Sequence, residues 1–450
     1  MPRKVSRREF IESTVATTAL AAGIENGAAA ARPNVLFILA DDLGYGDLSC
    51  YGRPDYQTPV LDKLARQGLR FTSAYAAAPV CTPTRCAYIT GRYPQRLPVG
   101  LTEPLTASSP PDLGLPPDHP TIASLLKGNG YDTSLVGKWH LGWKPEFGPN
   151  RHGFDEFFGV LSGAVDYFTH RAADASGGSA AEGGGRDLWL DLTPIERVGY
   201  LTDLLTDKAV EIITRRRTKP FFLSLQYTAP HSPWEGPEDE AIGHTTHGPG
   251  PMVAGGSLKI FATMMQRMDA GIGRVLKALE RANVDRNTLV VFTSDNGGER
   301  YSYNWPFSFQ KLDLHEGGTR VPAIARWPGV IPGGRVTDQA AITMDWTATI
   351  LGVTGTAADP AFPLDGENLM PTCTGQRAPY DRSLFWRVRG FDAARVGSLK
   401  YLKNASGEYL FDLSKDPGEK SDLRANRPDR FDAIRRQYQA WASTMLALSS

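Results

Sequence analysis

Apolar positions follow two periods that alternate along the chain. Asn34–Ala40 (NVLFILA) is a continuous apolar run ending at Asp41-Asp42, the pattern of a strand covered on both faces. Thr58-Pro59 then opens a helix, with Thr58 at the N-cap and Pro59 in the first turn, where a missing N–H leaves no bond unmade. Val60, Leu61 and Leu64 give its apolar face, and Gly68 ends it. The alternation recurs three times. Helix Thr121–Lys127 stops at Gly130 and strand Thr133–Val136 follows. Helix Leu201–Arg215 precedes strand Pro220–Tyr227 (PFFLSLQY). A long helix carrying Leu258, Phe261, Met265, Met268, Ile272, Val275 and Leu279 precedes strand Thr288–Thr293 (TLVVFT).

Strands separated by helices predict an α/β fold with a large, mostly parallel sheet flanked by helices. The Gly/Ser/Ala-rich stretch Ser162–Gly185 and the segment Gly236–Gly256 read as surface insertions. Composition becomes turn-like at Pro371–Ala378. Beyond it, Ser383–Val388, Ala394–Leu402 and Tyr409–Leu413 read as short strands and Arg430–Leu446 as a terminal helix. The expected organisation is a large α/β domain over 32–372 and a smaller C-terminal α+β domain over 373–450. No internal repeat is present.

At 450 residues and 41% hydrophobic content the chain can bury a sizeable core. Its net charge of zero gives no reason to expect nucleic acid or an anionic membrane surface as partner. An anionic ligand would need a local cluster of charge. The four cysteines, Cys50, Cys81, Cys86 and Cys373, are too few for a disulfide scaffold, and no C-x-x-C pair suggests zinc. Ser6-Arg7-Arg8-Glu9-Phe10-Ile11, the mildly apolar Ser13–Ala22 and the alanines at 28–31 stand in the order of a twin-arginine export signal over 1–31. That reading places the mature protein in the periplasm or outside the cell, with the twin-arginine (Tat) translocon as a partner. A disordered basic N-terminus is the alternative. No other stretch is long and apolar enough to span a membrane.

Ligands of open α/β sheets bind beyond the carboxyl ends of the strands. The polar residues there are Asp41-Asp42, Lys138 and His140, His231, and Asp295-Asn296. Asp41, Asp42, Asp295 and Asn296 offer only hard oxygen donors, as Ca²⁺ or Mg²⁺ prefer; as isolated pairs they would equally be turn residues at strand ends. Pro83 fits just inside a helix start, which would put Cys81 at a helix N-terminus that favours an anion. A buried structural cysteine and a thiolate activated by the helix end remain alternatives.

Cys81-Thr82-Pro83-Thr84-Arg85, continuing to Thr90-Gly91, resembles the signature C-x-P-x-R-x-x-x-x-T-G of the formylglycine-dependent sulfatases in the alkaline phosphatase superfamily. The resemblance extends in order through Asp41-Asp42, Gly137-Lys138-Trp139-His140, Ala229-Pro230-His231, Asp295-Asn296-Gly297, Lys311, Glu316-Gly317-Gly318 and Arg320-Val321-Pro322. It continues to Tyr409–Leu413 and Asp416-Pro417-Gly418-Glu419. It implies an alkaline-phosphatase-like sheet and hydrolysis of a sulfate monoester, aryl or carbohydrate, to alcohol and inorganic sulfate. It also implies Cys81 oxidised to formylglycine by a formylglycine-generating enzyme, and one Ca²⁺ held by Asp41, Asp42, residue 81, Asp295 and Asn296. A hydrated aldehyde has two hydroxyls: one attacks sulfur, and the other loses its proton to expel sulfate and restore the aldehyde.

By the same resemblance Lys138 and Lys311 contact the sulfate and Arg85 orients residue 81. His140 takes the proton during sulfate release, and His231 serves the leaving oxygen with Lys311 as a competing donor. His170, in Asp166-Tyr167-Phe168-Thr169-His170, is a candidate substrate contact. His119, His152, His244, His247 and His315 read as solvated or structural. Two other functions are carried forward. One is a phosphonate or phosphate diester hydrolase of the same superfamily, which often has histidine where Asn296 stands. The other is a non-enzymatic, calcium-dependent module that binds sulfated glycans.

Overall fold

The computed structural model describes residues 32–106, 108–172, 185–240 and 255–448. The predicted export signal and the middle parts of both predicted insertions lie outside the described residues. Eleven strands form the main sheet: β1 (Asn34–Ala40), β2 (Leu69–Tyr75), β3 (Asp132–Lys138), β4 (Glu156–Val160), β5 (Trp189–Leu190), β6 (Thr193–Pro194), β7 (Phe221–Gln226), β8 (Thr288–Ser294), β9 (Arg320–Arg326), β10 (Arg335–Thr337) and β11 (Ala341–Ile342). Their order is β10-β2-β9-β8-β1-β7-β3-β4-β5-β6, with β11 also on β2. The central run β8-β1-β7-β3-β4 is parallel. The antiparallel pairings involve β9 and β5. This is the mixed, mostly parallel α/β sheet expected.

The reason β1 reads as unbroken apolar sequence is visible in its packing. Leu36, Ile38 and Ala40 enter the core on one face of the sheet, and Val35, Phe37 and Leu39 enter the core on the other. Helices α1 (Pro59–Gln67), α2 (Cys81–Thr90), α3 (Ile122–Gly128), α4 (Leu201–Thr214), α5 (Leu258–Arg281), α6 (Glu316–Thr319) and α7 (Thr343–Thr354) connect the strands. No described helix is long and apolar enough to cross a membrane.

Two local expectations are corrected. Thr58 occupies the N-cap position of α1 without capping it; its Oγ1 accepts the Ser49 N–H and bonds to Asp62 instead. The cap comes from α5, where the two carboxylate oxygens of Asp269 accept the N–H groups of Val60 and Leu61 at 3.0 and 2.9 Å. A tertiary carboxylate satisfies two orphan amides, where a local hydroxyl satisfies one. The second correction is at Ala394–Leu402, read as one strand. The backbone turns at Gly397, where φ is +58°, and the segment is the hairpin of β13 (Phe391–Val396) and β14 (Leu399–Asn404). With β12 (Ser383–Val388) and β15 (Gly407–Asp412) these form a separate antiparallel sheet in sequential order; α8 (Met370–Thr374) upstream packs through Cys373 into the main-sheet core, and α9 (Pro428–Ala442) downstream backs the small sheet. Trp386 of β12 inserts toward the main sheet and donates its indole N–H to Ala76 O at 2.8 Å.

Candidate active site

Loops beyond the carboxyl ends of β1, β3, β7 and β8 converge on the first turn of α2. Every residue of α2 is buried, and no side chain caps its start at Val80. Cys81 is its first residue, so its side chain stands where uncapped amides and the helix dipole favour negative charge. The unmodified thiol is not a ready nucleophile. Burial pushes it up to about 12, and Lys138 and Lys311 offset this only in part. A thiolate mechanism is therefore disfavoured near neutral pH. All four cysteines are unpaired.

Arg85, one turn further along α2, is fully buried and bonded on every side. Its Nε and Nη2 donate to Asp295 Oδ2 at 3.1 and 2.8 Å, and its Nη1 donates to Lys138 O and to Gln226 Oε1 at 3.0 and 2.7 Å. It thus ties α2 to the ends of β3, β7 and β8. Asp295 Oδ1 accepts the Asp42 N–H at 3.1 Å. Burial and the neighbouring Asp41 carboxylate push Asp295 up to about 7 against Arg85 and Lys138. Asp42 behaves oppositely. Burial would raise it, but Lys311, His231 and Lys138 hold it well below the carboxylate range.

Lys138 Nζ donates to Asp41 Oδ2 at 2.6 Å, and Lys311 Nζ donates to Asp42 Oδ2 at 2.7 Å. Asn296 Nδ2 donates to Asp42 Oδ1 at 2.7 Å. Two buried acceptors, Asp41 Oδ1 and Asn296 Oδ1, have no hydrogen-bond partner; Arg85 Nη2 approaches the first only to 3.5 Å. One ligating atom from each of Asp41, Asp42, Cys81 and His231 lies within 4.8 Å of the others. Open oxygen acceptors beside buried carboxylates are what a hard dication takes up. The donor set fits such an ion, with Asp41, Asp42 and Asn296 offering oxygens. Asp295 stands among them with its two oxygens committed to Arg85 and the Asp42 amide.

The histidines differ in which nitrogen is bare. His140 Nε2 lies 2.9 Å from Leu105 O, to which it can only donate. Its Nδ1 is buried and without a partner, so it is a proton acceptor. Burial and Lys138 hold the ring well below its usual pKa. The neighbour of the nucleophile sets this arrangement: Thr82 Oγ1 accepts the Leu105 N–H at 3.1 Å and donates to His140 O at 3.3 Å. The ring also lies against Gly163, where an added Cβ would come within 2.6 Å of Cε1. His231 Nδ1 donates to Ser232 O, so Nε2 carries the lone pair and meets Lys311 Nζ at 3.2 Å. Burial lowers His231 to about 3. Asp42 and His140 both hold left-handed backbone, at φ 61° and 58°, a conformation that costs non-glycine residues about 1 kcal/mol or more and concentrates at functional sites.

The structure thus brings together Asp41, Asp42, Cys81, Arg85, Lys138, His140, His231, Asp295, Asn296 and Lys311. His170 is placed apart from them. It is buried in the loop after β4, its Nε2 donating to Gly199 O at 3.0 Å. Sequence reasoning missed Gln226, Leu105, Thr82 and Gly163. Gln226 alone had a signal: an amide ending a buried strand whose one other polar residue is Ser224.

A buried oxygen-donor site beside a helix N-terminus, flanked by two lysines and a bare imidazole, defines a hydrolase of anionic esters. The comparisons give the family. A family model described as Sulfatase matches residues 33–356. N-acetylgalactosamine-6-sulfatase of Canis lupus familiaris is 35% identical over 465 residues, covering 92% of this chain and 86% of the relative. Arylsulfatase A of Bos taurus is 34% identical, covering 90% and 86%. The solved structure "Ps i-CgsB" is 32% identical with a TM-score of 0.82, covering 93% of this chain and 94% of its own, and it is also known in complex with k-i-k-neocarrahexaose. The chain belongs to the sulfatase family and is a sulfuric ester hydrolase.

Proposed function

We propose that this sulfatase removes sulfate from a sulfated carbohydrate, with residue 81 as formylglycine and one Ca²⁺ in the oxygen site. The observation that carries this reading is Cys81 itself. It sits at the bare N-terminus of a fully buried helix, too basic to act as a thiolate, beside two orphaned carboxylate and amide oxygens. The aldehyde, once water has added to it, supplies a hydroxyl nucleophile that the thiol lacks, and the cation, when bound, would draw charge from the sulfate oxygens. Lys138 and Lys311 neutralise the sulfate. Arg85 fixes α2 against β8 so that residue 81 cannot drift. His140 Nδ1 takes a proton during release. The Lys311–His231 pair returns one to the leaving alcohol. The carbohydrate assignment draws on the relative named for N-acetylgalactosamine 6-sulfate and on the neighbour complexed with an oligosaccharide.

The test is chemical. Protein made together with a formylglycine-generating enzyme should yield a tryptic peptide Phe71–Arg85 bearing an aldehyde in place of the thiol, and should release sulfate from a panel of sulfated sugars. Fully active protein with only intact thiol would sink the mechanism. Export by the twin-arginine route is part of the same proposal: changing Arg7 and Arg8 to Lys should leave a longer precursor in the cytoplasm. Normal export of that variant would remove the route.

A further inference from the structure

Lys311 is the least buried member of the catalytic cluster. The other residues brought together there are at most 5% exposed, whereas the Lys311 side chain is 10% exposed. The site therefore opens beside Lys311, and the group that carries the sulfate must project outward past it. The residues on either side of this lysine are not those of an ordinary water-facing turn. Phe309 and Leu312 are 59% and 54% exposed. Both hold left-handed backbone, at φ 64° and 73°, a conformation usually left to Gly or Asn. Single exposed apolar side chains are common. Here two of them, in a costly backbone conformation, flank one catalytic residue.

The segment is firmly seated. The Lys311 N–H donates to Gly298 O at 3.1 Å, and the Leu312 N–H donates to Pro79 O at 2.8 Å, two residues before Cys81. Beneath it, Gly317 and Gly318 of the Glu-Gly-Gly motif let the chain come close. A Cβ on Gly317 would stand 2.2 Å from Phe309 O, and one on Gly318 would stand 1.9 Å from Asp313 O. The two glycines thus serve the loop that presents Lys311. The Phe309 ring is fixed as well. It stacks on His315 with centroids 4.1 Å apart and planes 27° from parallel. The imidazole is held in turn, with Nδ1 2.5 Å from Asp313 Oδ1 and the Phe411 ring of β15 at 6.5 Å. One face of Phe309 is backed by this ring, so its exposed surface is the other face.

We propose that Phe309 and Leu312 form an apolar platform that packs against the C–H face of the sugar ring bearing the sulfate under hydrolysis. A sugar ring carries aliphatic C–H groups on its faces and hydroxyls around its edge, and an open aromatic face complements the former. A platform already fixed loses little freedom on contact. Lys311 and His231 serve the leaving oxygen in the reading above, so residues flanking Lys311 meet the sugar and not the sulfate. The inference rests on that carbohydrate reading and deepens it: apolar contact, and not charge alone, holds the sugar.

The test measures sugar and sulfate separately. Full-length, aldehyde-bearing enzyme is assayed for sulfate release from sulfated mono- and oligosaccharides of galactose, glucose and N-acetylgalactosamine. Inorganic sulfate serves as a competitive inhibitor that has no ring. Phe309→Ala/Leu312→Ala should lower kcat/KM about tenfold or more on the sugars that the wild type hydrolyses, chiefly through KM. The inhibition constant of inorganic sulfate should stay within about twofold, which also shows that the catalytic cluster is intact. Phe309→Trp, which keeps an open aromatic face, should stay within about threefold of wild type. Unchanged kcat/KM in the double variant, or an equal loss of affinity for inorganic sulfate, would overturn the platform. The carbohydrate reading fails on a different result, and the platform's occupant with it: no release from any sulfated sugar by the wild-type enzyme.

Discussion

Two clusters of charge in this protein have buried carboxylates at their centre, and only one of them is built for chemistry. In the first, Asp41, Asp42 and Asp295 face Arg85, Lys138 and Lys311. In the second, at the seam between the two sheets, Glu316 and Glu419 face Lys400, Arg320 and Arg395. There Glu316 Oε1 accepts from Lys400 Nζ at 2.9 Å and its Oε2 from Tyr75 and Arg320 at 2.6 and 3.0 Å. Glu419 Oε2 accepts the Glu316 N–H at 2.6 Å, and Lys400 Nζ lies 2.8 Å from its Oε1. Every carboxylate oxygen of the seam has a donor or a cation beside it. In the catalytic cluster Asn296 Oδ1 and His140 Nδ1 have no hydrogen-bond partner, and Arg85 Nη2 stands off from Asp41 Oδ1 at 3.5 Å, against 2.8 Å for Lys400 at Glu419 Oε1. Burial of charge is common to both; unmade bonds aimed at one point distinguish the site.

The comparison can be broken most severely at residue 81. Cys81→Ala should lower turnover by roughly four orders of magnitude or more, read as sulfate release, while the thermal midpoint stays near wild type. A collapsed midpoint would mean the cluster is structural after all. Lys400→Met should do the reverse. Stranding Glu316 and Glu419 without their shared cation should cost about 3–5 kcal/mol in urea unfolding, with kcat per folded molecule changing far less. Smaller again is Gly163→Ala, which should displace the His140 ring and lower kcat about ten- to a hundredfold without moving the unfolding midpoint; unchanged kcat would remove His140 as the base.

The gentlest probe is acid. Lys400, Arg320 and Arg395 outweigh burial and hold Glu316 at about 2 against an ordinary 4.5. A depressed carboxylate stabilises the fold above its unfolded pKa, and that contribution is lost as pH falls from about 4.5 to about 2. Burial and Lys400 act in opposite senses on Glu419, and the net shift is upward, so its protonation comes first and does not weaken the fold. Glu316→Gln should flatten urea stability across that window. An unchanged slope would show that the seam does not titrate as a paired cluster.

Much of this was legible in the sequence because the relevant signals are local. β1, α5 and β8 announce themselves by apolar period, and the ends of those strands carry the acidic pairs. What escaped depends on contacts distant in sequence. Asp269 caps a helix some two hundred residues upstream, and nothing near Thr58 reports that its hydroxyl is engaged elsewhere. β9 runs antiparallel between β2 and β8, a direction no periodicity encodes. The tautomer of His140 is set by a backbone carbonyl at Leu105, and a carbonyl leaves no trace in residue type. Gly397, within an extended pattern, was the one overlooked local cue to the hairpin.

The packing of α2 also has a consequence in time. Cys81 sits on a helix closed over by α7, where Thr347 bonds to Tyr88 O, and the preceding strand β2 gains its sheet neighbours only from β9, β10 and β11. The last of these covering elements is complete about 270 residues after Cys81. A ribosome adding about 5–20 residues per second needs roughly 15–55 s to make them. Throughout that interval the growing chain lacks the segments that bury the sulfur, so any enzyme that must reach it has most of the period of synthesis in which to do so.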